Sequence, residues 1–183
     1  MISLALLGVG LWALASQTSA ASLTQLPVVR ATTDSSRTTP TTWSASMTVE
    51  ANYVNNGDIA FSTRSYCYRG VCSYPGPTIE LVPGDNFSLT LKNNLGANPA
   101  GEDTTMNSMH SPNSTNLHTH GLHINPRIDT VFTHAAPGET IVYNYEVPSN
   151  HASGTHWYHD HTHVSASELP CQLRPRRTLG SSR

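Results

Sequence analysis

The chain has 183 residues, with 10 basic and 12 acidic side chains and a formal net charge of −2 when histidine is neutral. That length accommodates one sandwich-sized domain with appendages rather than several domains. A single lysine and the lack of any basic run inside the domain remove the electrostatic basis for binding nucleic acid, which leaves small molecules and metal ions as the expected ligands.

Residues 1–20 read as a secretory signal. Leu4 to Leu14 form an apolar run too short to span a bilayer comfortably, and Thr18-Ser19-Ala20 supplies small residues for cleavage, although no Lys or Arg precedes the run. No second apolar stretch follows, so the expected product is secreted and carries no membrane segment after cleavage. Residues 21–45 read as a Ser/Thr-rich lead-in, crowded between Thr32 and Thr42 and containing Pro40.

From Trp43 the pattern changes. Met47, Val49, Ala51 and Tyr53 alternate with polar residues, the period of a half-buried strand, and Asn55-Asn56-Gly57-Asp58 follows as a turn. Secretion permits disulfides: Cys67 and Cys72 can close a small loop around Arg69-Gly70, or pair with cysteines elsewhere, which leaves Cys171 over. Pro75-Gly76-Pro77 reads as a stiff turn, Thr78–Val82 as a short strand, and Pro83-Gly84-Asp85 as a second turn. Phe87, Leu89 and Leu91 then alternate with Ser88, Thr90 and Lys92. Asn86-Phe87-Ser88 and Asn113-Ser114-Thr115 are potential glycosylation sequons.

Residues 97–116 read as a long loop, and Ile141, Tyr143, Tyr145 and Val147 form another clean alternation that ends at Pro148. No sustained helical period occurs anywhere. Short strands separated by Gly, Pro and Asn point to an antiparallel β-sandwich or barrel. Residues 169–183 contain Pro170, Pro175 and four of the nine arginines, lack strand alternation, and are expected to be a disordered or loosely packed basic tail.

All ten histidines lie between His110 and His163. In a strand, residues i and i+2 share a face, so His118 with His120, and His159 with His161, each present two imidazoles from one side. If the two strands are neighbours, four imidazoles converge. Such a set suits copper, zinc, nickel or iron, and suits the oxygen-seeking magnesium and calcium ions badly.

The motifs Pro75-Gly76-Pro77-Thr78-Ile79, Gly84-Asp85, Asn116-Leu117-His118-Thr119-His120-Gly121-Leu122, Pro137-Gly138-Glu139-Thr140 and Gly154-Thr155-His156-Trp157-Tyr158-His159-Asp160-His161 occur in an order that resembles the first cupredoxin domain of the multicopper oxidases, the laccase-like enzymes. The resemblance runs from about Met47 to Val164. It implies an all-β, cupredoxin-like Greek-key β-sandwich over residues 46–168, incomplete at its C-terminal end, with residues 169–183 a non-homologous tail. It also implies that His118 matches a ligand of the type 2 copper, and that His120, His159 and His161 match ligands of the paired type 3 coppers. Each ligating imidazole needs a partner on its other nitrogen; Asp160 is adjacent, but its place on the strand points it to the opposite face.

Thr119 stands where the family usually has Trp, and Asp160 where it commonly has Ser or Pro. The family's later domains supply the remaining cluster histidines and the blue-copper site, for which Cys171 has no flanking histidines. The resemblance therefore implies a module holding part of the type 2 and type 3 copper sites. Dioxygen and a small reducing substrate would be partners only when the missing domains are supplied. The alternative is a non-catalytic secreted copper-binding protein. A third class, a mononuclear cupin or zinc hydrolase, lacks its expected Glu after His-x-His and, for barrel hydrolases, the necessary length.

Overall fold

The computed structural model describes residues 25–55, 59–98, 111–162 and, by backbone alone, 171–175. The expected signal at 1–20, the turn at 56–58, His110, His163 and most of the tail lie outside these residues. Among those described, no helix is long and apolar enough to cross a membrane.

Among the described residues, ten strands form two five-stranded sheets. One holds β4 (Val71–Cys72), β3 (Ala60–Tyr68), β2 (Thr42–Asn55), β6 (Asn86–Asn93) and β8 (Thr140–Glu146), in that order. The other holds β1 (Val28–Val29), β5 (Thr78–Leu81), β10 (Cys171–Pro175), β9 (His156–His159) and β7 (His118–His120). The alternations place the core between the sheets: Phe87, Leu89 and Leu91 of β6 and Tyr143 and Tyr145 of β8 face Ile79, Leu81 and Tyr158 of the second sheet, all buried. Alternate polar residues of β6 and β8 turn outward, as one-face burial requires.

Three features differ from the sequence expectation. The sheets are mixed rather than purely antiparallel: β2 runs parallel to β6, and β5 runs parallel to both β1 and β10. The chain between β2 and β6 crosses to the other sheet to make β5, so a hairpin cannot join them. The Ser/Thr-rich lead-in takes part in both sheets. Val28 and Val29 pair with Thr78 and Ile79, and Thr42–Ala45 already lies in the β2 ladder. β2 buries Met47 and Val49 but leaves Ala51 and Tyr53 exposed, because its outer half pairs with β3 alone.

The third difference is the tail. The sequence suggests a disordered or loosely packed tail, yet the backbone of Cys171–Pro175 lies between β5 and β9, parallel to one and antiparallel to the other. The gap between those strands offers unpaired backbone groups on both sides, and hydrogen bonding to them outweighs the weak strand propensity of the sequence. Pro175 falls at the strand's last position, where a missing donor is tolerated.

Asp85 fastens the lead-in to the turn before β6. Its carboxylate is fully buried and accepts hydrogen bonds from both terminal nitrogens of Arg37 (2.8 and 2.7 Å), the Thr41 amide (2.8 Å), the Trp43 indole (3.1 Å) and the Val82 amide (3.0 Å). Burial by itself would raise its pKa, but these donors hold it below the usual carboxylate range. Cys67 and Cys72, opposite one another on β3 and β4, form a disulfide.

Candidate metal centre

β7 and β9 are neighbours, and their antiparallel register places His118 opposite His159 and His120 opposite Trp157. Directly opposed residues share a face. Thr119 and Tyr158 therefore turn into the core, while His118, His120, Trp157 and His159 occupy the other face. His161 follows the end of β9 and is held by its own amide, which donates to Asn116 Oδ1 at 2.7 Å.

The four sequence-predicted imidazoles come together. Ring centroids lie 4.9 Å apart for His118 and His120, 5.9 Å for His118 and His159, 5.3 Å for His118 and His161, 5.0 Å for His120 and His159, and 5.4 Å for His159 and His161. The Nε2 atoms of His120 and His159 face each other at 3.0 Å. Burial, followed by the neighbouring His118 and His161, lowers the pKa of His120; burial and the other three imidazoles lower that of His159. Both rings thus favour the neutral form, which is the form that donates to a metal.

Sequence reasoning missed two supporting residues. Asp129 lies in the loop after β7, with its carboxylate 3.0 Å from His118 Nδ1; it also accepts from the Thr119 amide (3.1 Å) and the Thr119 hydroxyl (2.9 Å). Burial raises the Asp129 pKa, against the opposing hydrogen bonds from Thr119 and the influence of His118. With Nδ1 of His118 engaged, Nε2 is left for a ligand. The one available signal was that Asp129 is the only carboxylate between Asp103 and Glu139. The second residue is Trp157, whose indole stacks on His120 at 3.8 Å with 5° between planes and fixes the plane of that ring.

Asp160 is fully buried and points away from the imidazole face, as its strand position predicts. It accepts from the Thr115 hydroxyl (2.8 Å) and the Thr162 amide (2.7 Å), tying the entry to β7 to the exit of β9. Burial raises its pKa. Gly121 closes β7 with φ of +87°, and a Cβ there would lie 2.3 Å from His156 Nδ1. Only glycine fits this turn.

The donor set fits copper. Four imidazoles, with no carboxylate among the donors, match the preference of a borderline transition metal. Among the described residues, the facing Nε2 atoms of His120 and His159 have only each other as hydrogen-bond partners.

Comparison with known proteins agrees with this chemistry. The chain is similar to copper resistance protein A of Pseudomonas syringae pv. tomato, 32% identical over 92 residues, covering 48% of this chain and 12% of that protein. It is also similar to iron transport multicopper oxidase FET3 of Gibberella zeae, 33% identical over 130 residues, covering 65% of this chain and 16% of that protein. The chain therefore spans a small fraction of the relatives it matches. Its fold resembles that of a multicopper oxidase from Campylobacter jejuni described as a metallo-oxidase, with a TM-score of 0.54 at 23% identity, covering 84% of this chain and 30% of that one. A multicopper oxidase from Pediococcus acidilactici gives a TM-score of 0.55 at 18% identity, covering 82% and 28%. A model of the multicopper oxidase family matches residues 72–169, over half of the chain and both histidine pairs; the chain belongs to that family.

Proposed function

We propose that this chain is the copper-binding N-terminal module of a secreted, laccase-like oxidoreductase. In this reading His118 is a ligand of a type 2 copper, and His120, His159 and His161 are ligands of paired type 3 coppers. The observation that carries the reading is the convergence of these four rings beside β7 and the end of β9, with neighbouring ring centroids 4.9 to 5.9 Å apart.

Bound copper ions supply one-electron redox chemistry, which in such an oxidase joins oxidation of a small reducing substrate to reduction of dioxygen to water. The chain's own residues prepare the site. Asp129 accepts from His118 Nδ1–H and so selects the tautomer whose Nε2 lone pair faces the site. Trp157 holds the His120 ring in plane, and Asn116 holds the backbone at His161. Burial keeps His120 and His159 neutral. The remaining ligands, the electron entry site and the substrate pocket would come from further domains, in the same chain or another.

A second reading, a copper binder without oxidase activity, draws on one observation: the disulfide withdraws Cys67 and Cys72 from thiolate ligation. Copper titration together with oxygen consumption in the presence of a phenolic reductant separates the two. Oxygen uptake that requires both copper and a partner supplying the missing ligands supports the oxidase module. Stoichiometric copper with no oxygen uptake under any such complementation supports the binder, and absence of copper binding overturns both.

A further inference from the structure

Three more histidines meet on the opposite side of the same strands. His156 precedes His159 by three positions on β9, so their side chains leave opposite faces. His123 follows the Gly121 turn, and His151 lies in the turn after β8. The ring centroids of His123 and His151 are 5.0 Å apart, and those of His151 and His156 are 5.4 Å apart. These spacings fall within the range of the first cluster. Imidazoles sharing one tetrahedral ion at about 2.0–2.1 Å per nitrogen place their rings roughly 5 Å apart.

We propose that His123, His151 and His156 form a second binding site for a divalent transition-metal cation, separate from the four-histidine centre. The donors are in place. His156 Nε2 is buried and has no hydrogen-bond partner, a costly state for a polar atom that a metal bond removes. Its Nδ1 is packed against the backbone of Gly121, so Nε2 is the nitrogen available. Gly154, which is exposed, passes close to that atom: a Cβ added there would lie 3.7 Å from Nε2. His151 is 6% exposed and donates from Nδ1 to the Ala152 carbonyl at 2.7 Å, which leaves Nε2 with a lone pair.

That lone pair accepts from the His123 amide at 3.0 Å. His123 is exposed, so water can satisfy its amide when a cation takes the His151 nitrogen. His123 itself brings the third imidazole, 5.0 Å from the His151 ring. Burial, with His151 and His123 as neighbours, keeps His156 below the ordinary histidine pKa, so it does not need to lose a proton at neutral pH.

The site is tested by Cu(II) titration calorimetry at pH 7.5 on the full chain. The comparison uses the unaltered protein, His123→Ala/His156→Ala, and a variant with His118, His120, His159 and His161 all replaced by alanine. The expected result is loss of one equivalent of copper in the double variant and retention of that equivalent in the fourfold variant. An unchanged number of equivalents in the double variant overturns the proposal. A fourfold variant that keeps every equivalent of the unaltered protein overturns the four-histidine centre and not the second site, whereas a folded fourfold variant that binds no copper overturns the second site and not the first, so the two failures are distinguishable in the same experiment. Should the double variant not fold, side-chain NMR of the fourfold variant decides: substoichiometric Cu(II) should selectively broaden His123, His151 and His156, and uniform or absent broadening contradicts the site.

Discussion

Asp129 provides a sharp test, because its two roles pull apart. In Asp129→Asn the side-chain oxygen can still accept from Thr119 and from His118 Nδ1, which lie 2.9 to 3.1 Å away, but the negative charge is gone. Loss of a carboxylate behind a ligating imidazole weakens metal affinity by about 10–100-fold, or roughly 1.4–2.7 kcal/mol. Burial raises the Asp129 pKa, so the fold disfavours its charge, and removing that charge should leave the metal-free protein as stable as before or slightly more so. Asp129→Ala instead strips the partner from the Thr119 amide and hydroxyl and from His118, and each unpaired buried group costs about 1–3 kcal/mol. Competitive copper titration and urea denaturation together give the signature: asparagine weakens copper at least tenfold with no loss of stability, and alanine loses both. Copper affinity in Asp129→Asn within twofold of the unaltered chain would refute the positioning argument.

Gly121→Ala forces a side chain into φ of +87° and against His156 Nδ1, and should destabilise the fold by about 1–2 kcal/mol from the backbone alone, with more from the displaced ring; a melting temperature equal to the unaltered chain's would contradict this. Arg37→Ala leaves the buried Asp85 carboxylate without its cation and should cost about 3 kcal/mol, at the low end for a buried pair because the Arg37 side chain is 15% exposed, as read by urea denaturation. The metal-free protein should lose stability as pH falls. Because burial and neighbouring imidazoles lower the pKa of His120, His156 and His159, the unfolded chain takes up protons at about 6.5, before the folded chain does; stability is full above that value and declines below it. Denaturation midpoints at pH 7.5 and 5.5 check the sign, and a higher midpoint at the lower pH would reverse it.

Much of this architecture is legible in the residues because it rests on period and neighbourhood. The alternations of β6 and β8 name the core face residue by residue, and the two His-x-His pairs announce a shared face before the strands are known to be neighbours. What escapes is whatever depends on distant partners. Asp129 becomes a His118 partner only when the loop after β7 folds back, and Trp157 stacks on His120 only through the β7–β9 register. Arg37 sits among serines and threonines that suggest slack chain, yet it pairs with an aspartate 48 residues away. Cys171–Pro175 joins a sheet because its neighbours there lack partners, which no local propensity encodes.

The central claim is that His118, His120, His159 and His161 hold copper together. The most direct measurement is the copper retained per chain after gel filtration, by elemental analysis, for the unaltered protein and for the chain with these four histidines replaced by alanine, each verified as folded by circular dichroism. The account predicts that the folded fourfold variant loses the tightly held copper and keeps at most the equivalent bound by His123, His151 and His156. The same copper content in both chains would contradict it.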